Sequence, residues 1–142
     1  MAGTRTDATT DRERGLYRGR SVARVLSSPD GLIVLVGRSA ADNDVLSLEL
    51  GRPYDFWLHV AGESGSHVVV LNPDRLPRLP RATGQLAAAL AARYSKARGG
   101  GRVAVHVATC GDVSKPRGAA PGKVALRRYD TVHGRPAEAP EL

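Results

Sequence analysis

The chain has 142 residues, 42% of them hydrophobic and 25% charged, with one cysteine and a formal net charge of +7. That size and composition fit one ordinary domain with a sizeable core, exclude an internal disulfide, and leave no apolar run near the roughly 20 residues that cross a bilayer. The expected setting is a reducing, cytoplasmic one, because a lone Cys110 and a charged opening stretch (MAGTRTDATTDRERG) do not suit export. The charge is unevenly placed. Residues 1–80 carry ten basic and ten acidic side chains, whereas Arg93 to Arg128 holds nine basic residues against Asp112 alone. Such asymmetry points to a polyanionic partner, nucleic acid before an acidic membrane surface.

In chain order, residues 1–14 are polar and are expected to be a disordered tail, with the domain spanning 15–136 and a flexible tail at 137–142. Residues 21–38 read as a β-hairpin around the turn signal SSPDG. Its second strand, LIVLV, is apolar on both alternating faces, so it belongs inside a sheet covered on both sides. Asp42 to Leu50 reads as a short helix capped by Asp42 or Asn43. FWLHV and SHVVVL, joined by AGESG, read as a second hairpin. Centring it on Glu63 pairs His59 with His67 and Leu58 with Val68. Period two then sets Asp55, Trp57 and His59 on one face.

Thr83 to Arg98 is the clearest helix, with Leu86, Leu90 and Tyr94 as its apolar stripe and GGG at 99–101 as its stop. The segments VAVHVA (103–108) and KVALRR (123–128) follow as strands, the latter closing the sheet. The predicted fold is α+β: a single compact domain with an antiparallel or mixed sheet of five to six strands, one long Ala-rich helix and one short helix.

Between the last two strands lies GDVSKPRGAAPG, a loop stiffened by two prolines. It lacks the glycine spacings that cradle nucleotide phosphates, so no nucleotide cofactor is expected. Its natural role is a rigid protrusion from which Lys115, Arg117 and Lys123 contact a phosphate chain. Arg93 and Lys96 extend that surface from the helix.

Asp55, Trp57, His59 and His67 form the other constellation. Without a third ligand at a recognised spacing, the histidines read as hydrogen-bonded structural groups before a metal centre. Trp57 reads either as core beneath the long helix or as a base-stacking platform. No nucleophile motif accompanies Cys110, and Ser66 beside His67 points to the opposite face of a strand.

Taken together, GLIVLVGRSAADNDVLSLEL, DFWLHVAGESGSHVVV, LAARYSKAR and VSKPRGAAPGKV resemble the RNA-binding module of the NFACT proteins over about residues 30–136. The resemblance implies a non-catalytic domain that binds structured RNA, tRNA or ribosomal RNA, in translation-linked RNA handling. Its family-like positions include Gly37, Arg38, Asn43, Asp44, Asp55, Trp57, His59, Gly65, Ser66, His67, Tyr94, Ser95, Lys96, Lys115, Pro116, Gly118, Pro121 and Gly122. Ser39 and Asp42 depart from the Asn and Gln common in the family. The long N-terminal portion and coiled coil of full NFACT proteins do not occur in these residues, so a free-standing version is expected and peptide-tail synthesis is not carried over.

The expected RNA surface is therefore Arg38, Asn43, Asp44, Asp55, Trp57, His59, Ser66, His67, Arg93, Tyr94, Lys96, Lys115, Arg117, Lys123 and Arg127, with no metal and no cofactor. Two other readings compete: a small RNA-modifying enzyme or accessory built on Asp55, His59 and His67, and an adaptor for acidic translation factors.

Overall fold

The computed structural model describes residues 11–142. Its centre is a six-stranded sheet, antiparallel at every pairing, in the order β10-β7-β5-β6-β4-β3. The strands are β3 (Ala23–Ser27), β4 (Ile33–Gly37), β5 (Phe56–Val60), β6 (Val68–Val70), β7 (Val103–Thr109) and β10 (Asp130–Gly134). Two small ribbons stand beside it, β1 (Leu16–Tyr17) with β2 (Arg20–Ser21) and β8 (Val113–Ser114) with β9 (Ala125–Leu126). The helices are α1 (Ala40–Val45), which runs on as a π-helical turn over Leu46–Leu50, and α2 (Arg81–Arg93). No helix of the described residues is long and apolar enough to cross a membrane.

The doubly apolar strand is β4, and it lies inside the sheet as its pattern requires. Leu35 packs with Leu46, Trp57 and Val69 on one face, while Val34 and Val36 pack with Leu58, Val68 and Leu90 on the other. The second hairpin takes the predicted register, with Phe56, Trp57 and Leu58 opposite Val70, Val69 and Val68. This alternation decides the architecture. Phe56 and Leu58 face α2, whereas Trp57 faces the α1 side.

Several boundaries differ from the sequence reading, each for a local reason. The cap of α1 is Ser39, whose Oγ accepts the Asp42 N–H, not Asp42 or Asn43. The long helix ends at Arg93 rather than Arg98, because the next residues hydrogen-bond to the β5–β6 loop instead: Ser66 N–H donates to the Tyr94 carbonyl and Lys96 N–H to that of Ser64. Pro80 offers no side chain to cap α2. Asp30, from the β3–β4 turn, accepts the Thr83 N–H in its place. The fully buried surface of α2 is mostly alanine (87–89, 91 and 92) around Leu90, while Leu86 and Tyr94 of the expected stripe pack half-buried against the same core. Small side chains let the helix lie close on β10: a Cβ on Gly134 would meet the Ala88 carbonyl oxygen at 2.2 Å.

The segment 123–128 does not close the sheet. Only Ala125 and Leu126 pair, with Val113 and Ser114 in the separate ribbon, and the edge place beside β7 goes to β10. Of the expected N-terminal tail, residues 1–10 lie outside the described residues, and Arg12 is held by the Leu50 carbonyl and the buried Asp55 carboxylate. At the other end, Arg93 pairs with Glu141, and the Leu142 N–H donates to Tyr94 Oη.

Candidate nucleic-acid interface

The interface is built on a buried polar chain. Trp57 Nε1–H donates to Ser47 Oγ at 2.9 Å, and Ser47 Oγ lies 2.7 Å from His67 Nδ1. His67 Nε2 lies 3.1 Å from the Gly122 carbonyl oxygen. A carbonyl only accepts, so Nε2 carries the proton, Nδ1 accepts from the Ser47 hydroxyl, and every member is satisfied with His67 neutral. Burial pushes the His67 pKa down to about 4, and neighbouring His59 adds to the effect. His67 is therefore a structural peg that fastens the glycine–proline loop to the sheet.

Other motif residues do the same work. Asn43 Oδ1 accepts the His67 N–H, and its Nδ2–H donates to the Gly65 carbonyl. Gly37 must be glycine there, since a Cβ would lie 1.9 Å from Asn43 Oδ1. Ser66 Oγ–H donates to the Gly37 carbonyl. Asp44 accepts the Gly122 N–H and pairs with Lys115 Nζ at 2.9 Å, while Lys115 also donates to the Ala120 and Lys123 carbonyls. Three ammonium protons thus meet three acceptors. Two tight turns complete the loop, with Gly118 and Gly122 at positive φ as their third residues.

The loop so fixed forms one wall of a groove of about 700 Å³. The opposite wall is the β5–β6 loop (Glu63 to Ser66) and the end of α2 with Tyr94. Arg93, Lys96, Arg98 and Lys123 converge on it, with Glu63 as the one acid among its lining residues. Among the described residues, Lys96, Arg98 and Lys123 are exposed and take part in no ion pair. His59 half-closes the floor, its ring 5.9 Å from Trp57 and 5.2 Å from His67. Burial lowers its pKa as well, with a backbone hydrogen bond toward Gly65 opposing.

Each residue expected from the sequence now has a place. The two histidines do meet, although β6 begins at Val68 and the ladder partner of His59 is His106 of β7. Asp55 does not join them: fully buried, its carboxylate accepts from Arg12, the Arg52 N–H and the Asn72 N–H. Trp57 is core at 1% exposure, under α1 rather than the long helix, and cannot stack on a base. Lys115, Asn43, Asp44 and Ser66 are committed internally. Arg127 Nε and Nη2 both donate to Asp112 Oδ1, outside the groove lining. Arg38 is exposed and bonds to Ser21 Oγ, and Arg117 is exposed near the loop tip. Burial pushes the Cys110 thiol pKa up, away from the thiolate that a nucleophile needs. Among the described residues, no group of three or more His, Cys, Asp or Glu is assembled to hold a metal.

Sequence reasoning missed Arg98 and His106 as members of this surface. Arg98 was placed inside a helix that stops five residues earlier. His106 alternates visibly in VAVHVA, but its closeness to His59 depends on β7 pairing with β5, which hydrophobic periodicity does not reveal.

A model of the NFACT protein RNA binding domain matches residues 22–128. The Rqc2 homolog RqcH of Bacillus subtilis is 36% identical over 114 residues, covering 79% of this chain and 18% of that protein. The Rqc2 homolog RqcH of Streptococcus suis is 32% identical over 126 residues, covering 87% and 22%. The chain therefore spans about a fifth of the length of these curated relatives. Among solved structures, the C-terminal part of the fibronectin/fibrinogen-binding protein from Streptococcus suis superposes with a TM-score of 0.77 at 32% identity, covering 84% of this chain and 47% of that one.

Proposed function

The chain belongs to the NFACT protein RNA-binding domain family, and from that premise we propose that it binds structured RNA, tRNA or ribosomal RNA, in translation quality control. The family is an RNA-binding domain and not a catalytic one. The observation that carries the proposal is the convergence of Arg93, Lys96, Arg98 and Lys123 on one groove whose walls are fixed in advance. Positions resembling the family's motifs act mainly inside this unit, which we place within residues 15–136. They hold the loop, and the loop presents Lys123.

A rigid cationic groove suits phosphates held at fixed spacing, because little side-chain and loop entropy remains to be lost on binding. The names of the relatives, Rqc2 homologs, support a setting on or near the ribosome. Their full-length activities are not carried over to a chain a fifth their length.

Fluorescence polarisation with labelled tRNA and a ribosomal RNA helix tests the reading. Lys96→Glu, Arg98→Glu and Lys123→Glu together should weaken binding at least tenfold and flatten the dependence of log affinity on log salt by roughly 2 to 3, at ~0.7–0.9 per phosphate contact. Reversing Arg75, Arg78 and Arg81, exposed cations before and at the start of α2 and outside the groove lining, should cost far less. Equal losses from both triples would defeat the groove as the binding site.

A further inference from the structure

The α1-side face of the sheet is left partly open at β10. On the far side α2 lies across β5, β7 and β10. On the α1 side the cover stops short of β10, where Thr131 and His133 are exposed. A row of rings crosses this open part. Trp57 is buried at its inner end, His59 stacks against it, His106 is the cross-strand partner of His59, and Tyr129 ends the row with its ring 4.2 Å from that of His106. Tyr129 is 51% exposed. Tyr129 thus leaves about half of its surface free beside the His106 imidazole, where a flat partner gains by covering it. Lys96 and Lys123 line the recess that contains His59 and His106, and they also line the phosphate groove, so the ring row and the groove are continuous.

We propose that the open face of β5, β7 and β10 is a stacking site for unpaired RNA bases, with His106 and Tyr129 as its platform. The inference rests on the RNA-binding reading and adds a substrate class to it: RNA with a single-stranded or bulged stretch next to the phosphates held by Lys96 and Lys123. The reason is geometric. A duplex keeps the π-faces of its bases inside the stack and offers phosphates, 2′-hydroxyls and base edges, which need no flat ring opposite them. Splayed bases expose those faces, and a sheet surface carrying rings beside cations meets them without regard to sequence.

The test compares a short single-stranded oligoadenylate with a blunt RNA duplex, each labelled, against the wild-type protein, Tyr129→Ala and Tyr129→Phe. Tyr129→Ala should weaken oligoadenylate binding roughly 5- to 150-fold, the range base–aromatic stacking supplies, with the salt slope unchanged because no phosphate contact is lost. Tyr129→Phe should retain wild-type affinity, and duplex binding should not respond to either change. With 2-aminopurine in the oligonucleotide, wild-type protein should change its fluorescence through stacking and Tyr129→Ala should not. If oligoadenylate binds the wild type and Tyr129→Ala within twofold of one another, or if the duplex loses as much as the single strand, the stacking site is refuted while the groove stands. If the wild-type protein binds neither of these RNAs, the stacking site is refuted, while the tRNA and ribosomal RNA titrations decide the RNA-binding reading separately.

Discussion

At the level of single residues, the controlling feature is a histidine that must stay neutral. Protonating His67 would place a charge at a site 1% exposed and leave the Ser47 hydroxyl without its acceptor. The unfolded chain, whose histidine titrates near the ordinary 6.5, takes up a proton that the folded chain refuses until about pH 4. A depressed folded pKa gives stability that is complete above about pH 6.5 and is lost as pH falls toward 4. Between pH 7 and pH 5, where carboxylates remain ionised, the loss from His67 alone should be about 2 kcal/mol. Urea denaturation at the two pH values measures it. His67→Gln should lower stability at pH 7 and flatten the slope across this window. A wild-type stability equal at both values would contradict the neutral peg.

At the scale of elements, the loop at 111–122 and the helix α2 show how position is fixed. Lys115 holds its loop by three bonds from one ammonium, a compact arrangement that a planar guanidinium does not reproduce. Lys115→Met should therefore raise amide exchange across residues 116–122 while the sheet core stays protected, and Lys115→Arg should not restore protection. Gly134→Ala forces a methyl group against the α2 backbone and should cost about 1–3 kcal/mol of stability by thermal or urea denaturation. The contrast in what was readable is instructive here. The hairpin register was legible from the loop alone, because centring AGESG on Glu63 fixes Phe56, Trp57 and Leu58 opposite Val70, Val69 and Val68. Both strands are apolar on both faces, and their hydrophobicity would not choose between alignments. The last strand was not, because KVALRR and DTVHG are both short and amphipathic, and only three-dimensional pairing selects Asp130–Gly134 for the sheet edge. The end of α2 was equally hidden. Its glycine stop at 99–101 is real sequence punctuation, yet the helix yields earlier to hydrogen bonds with a loop thirty residues upstream.

For the whole molecule, the uneven charge seen in the sequence resolves into three groups. Arg93, Lys115, Arg127 and Arg128 pair with Glu141, Asp44 and Asp112; Lys96, Arg98 and Lys123 gather beside a pre-formed groove; Arg102 and Arg117 lie exposed outside its lining. The cationic half of the chain was legible from composition. Which of its cations are free was not, since that depends on acids distant in sequence, Asp44 above all. The same division separates scaffold from interface among the motif residues: His67, Asn43, Asp44 and Ser66 build the groove that others use. Ultraviolet crosslinking of the protein to bound RNA, followed by mass spectrometry of the nucleotide-bearing peptides, locates the interface directly. Adducts confined to residues 59–66, 93–98 and 121–129 are the predicted outcome. Adducts centred on 78–85, or spread evenly over the surface, would contradict it.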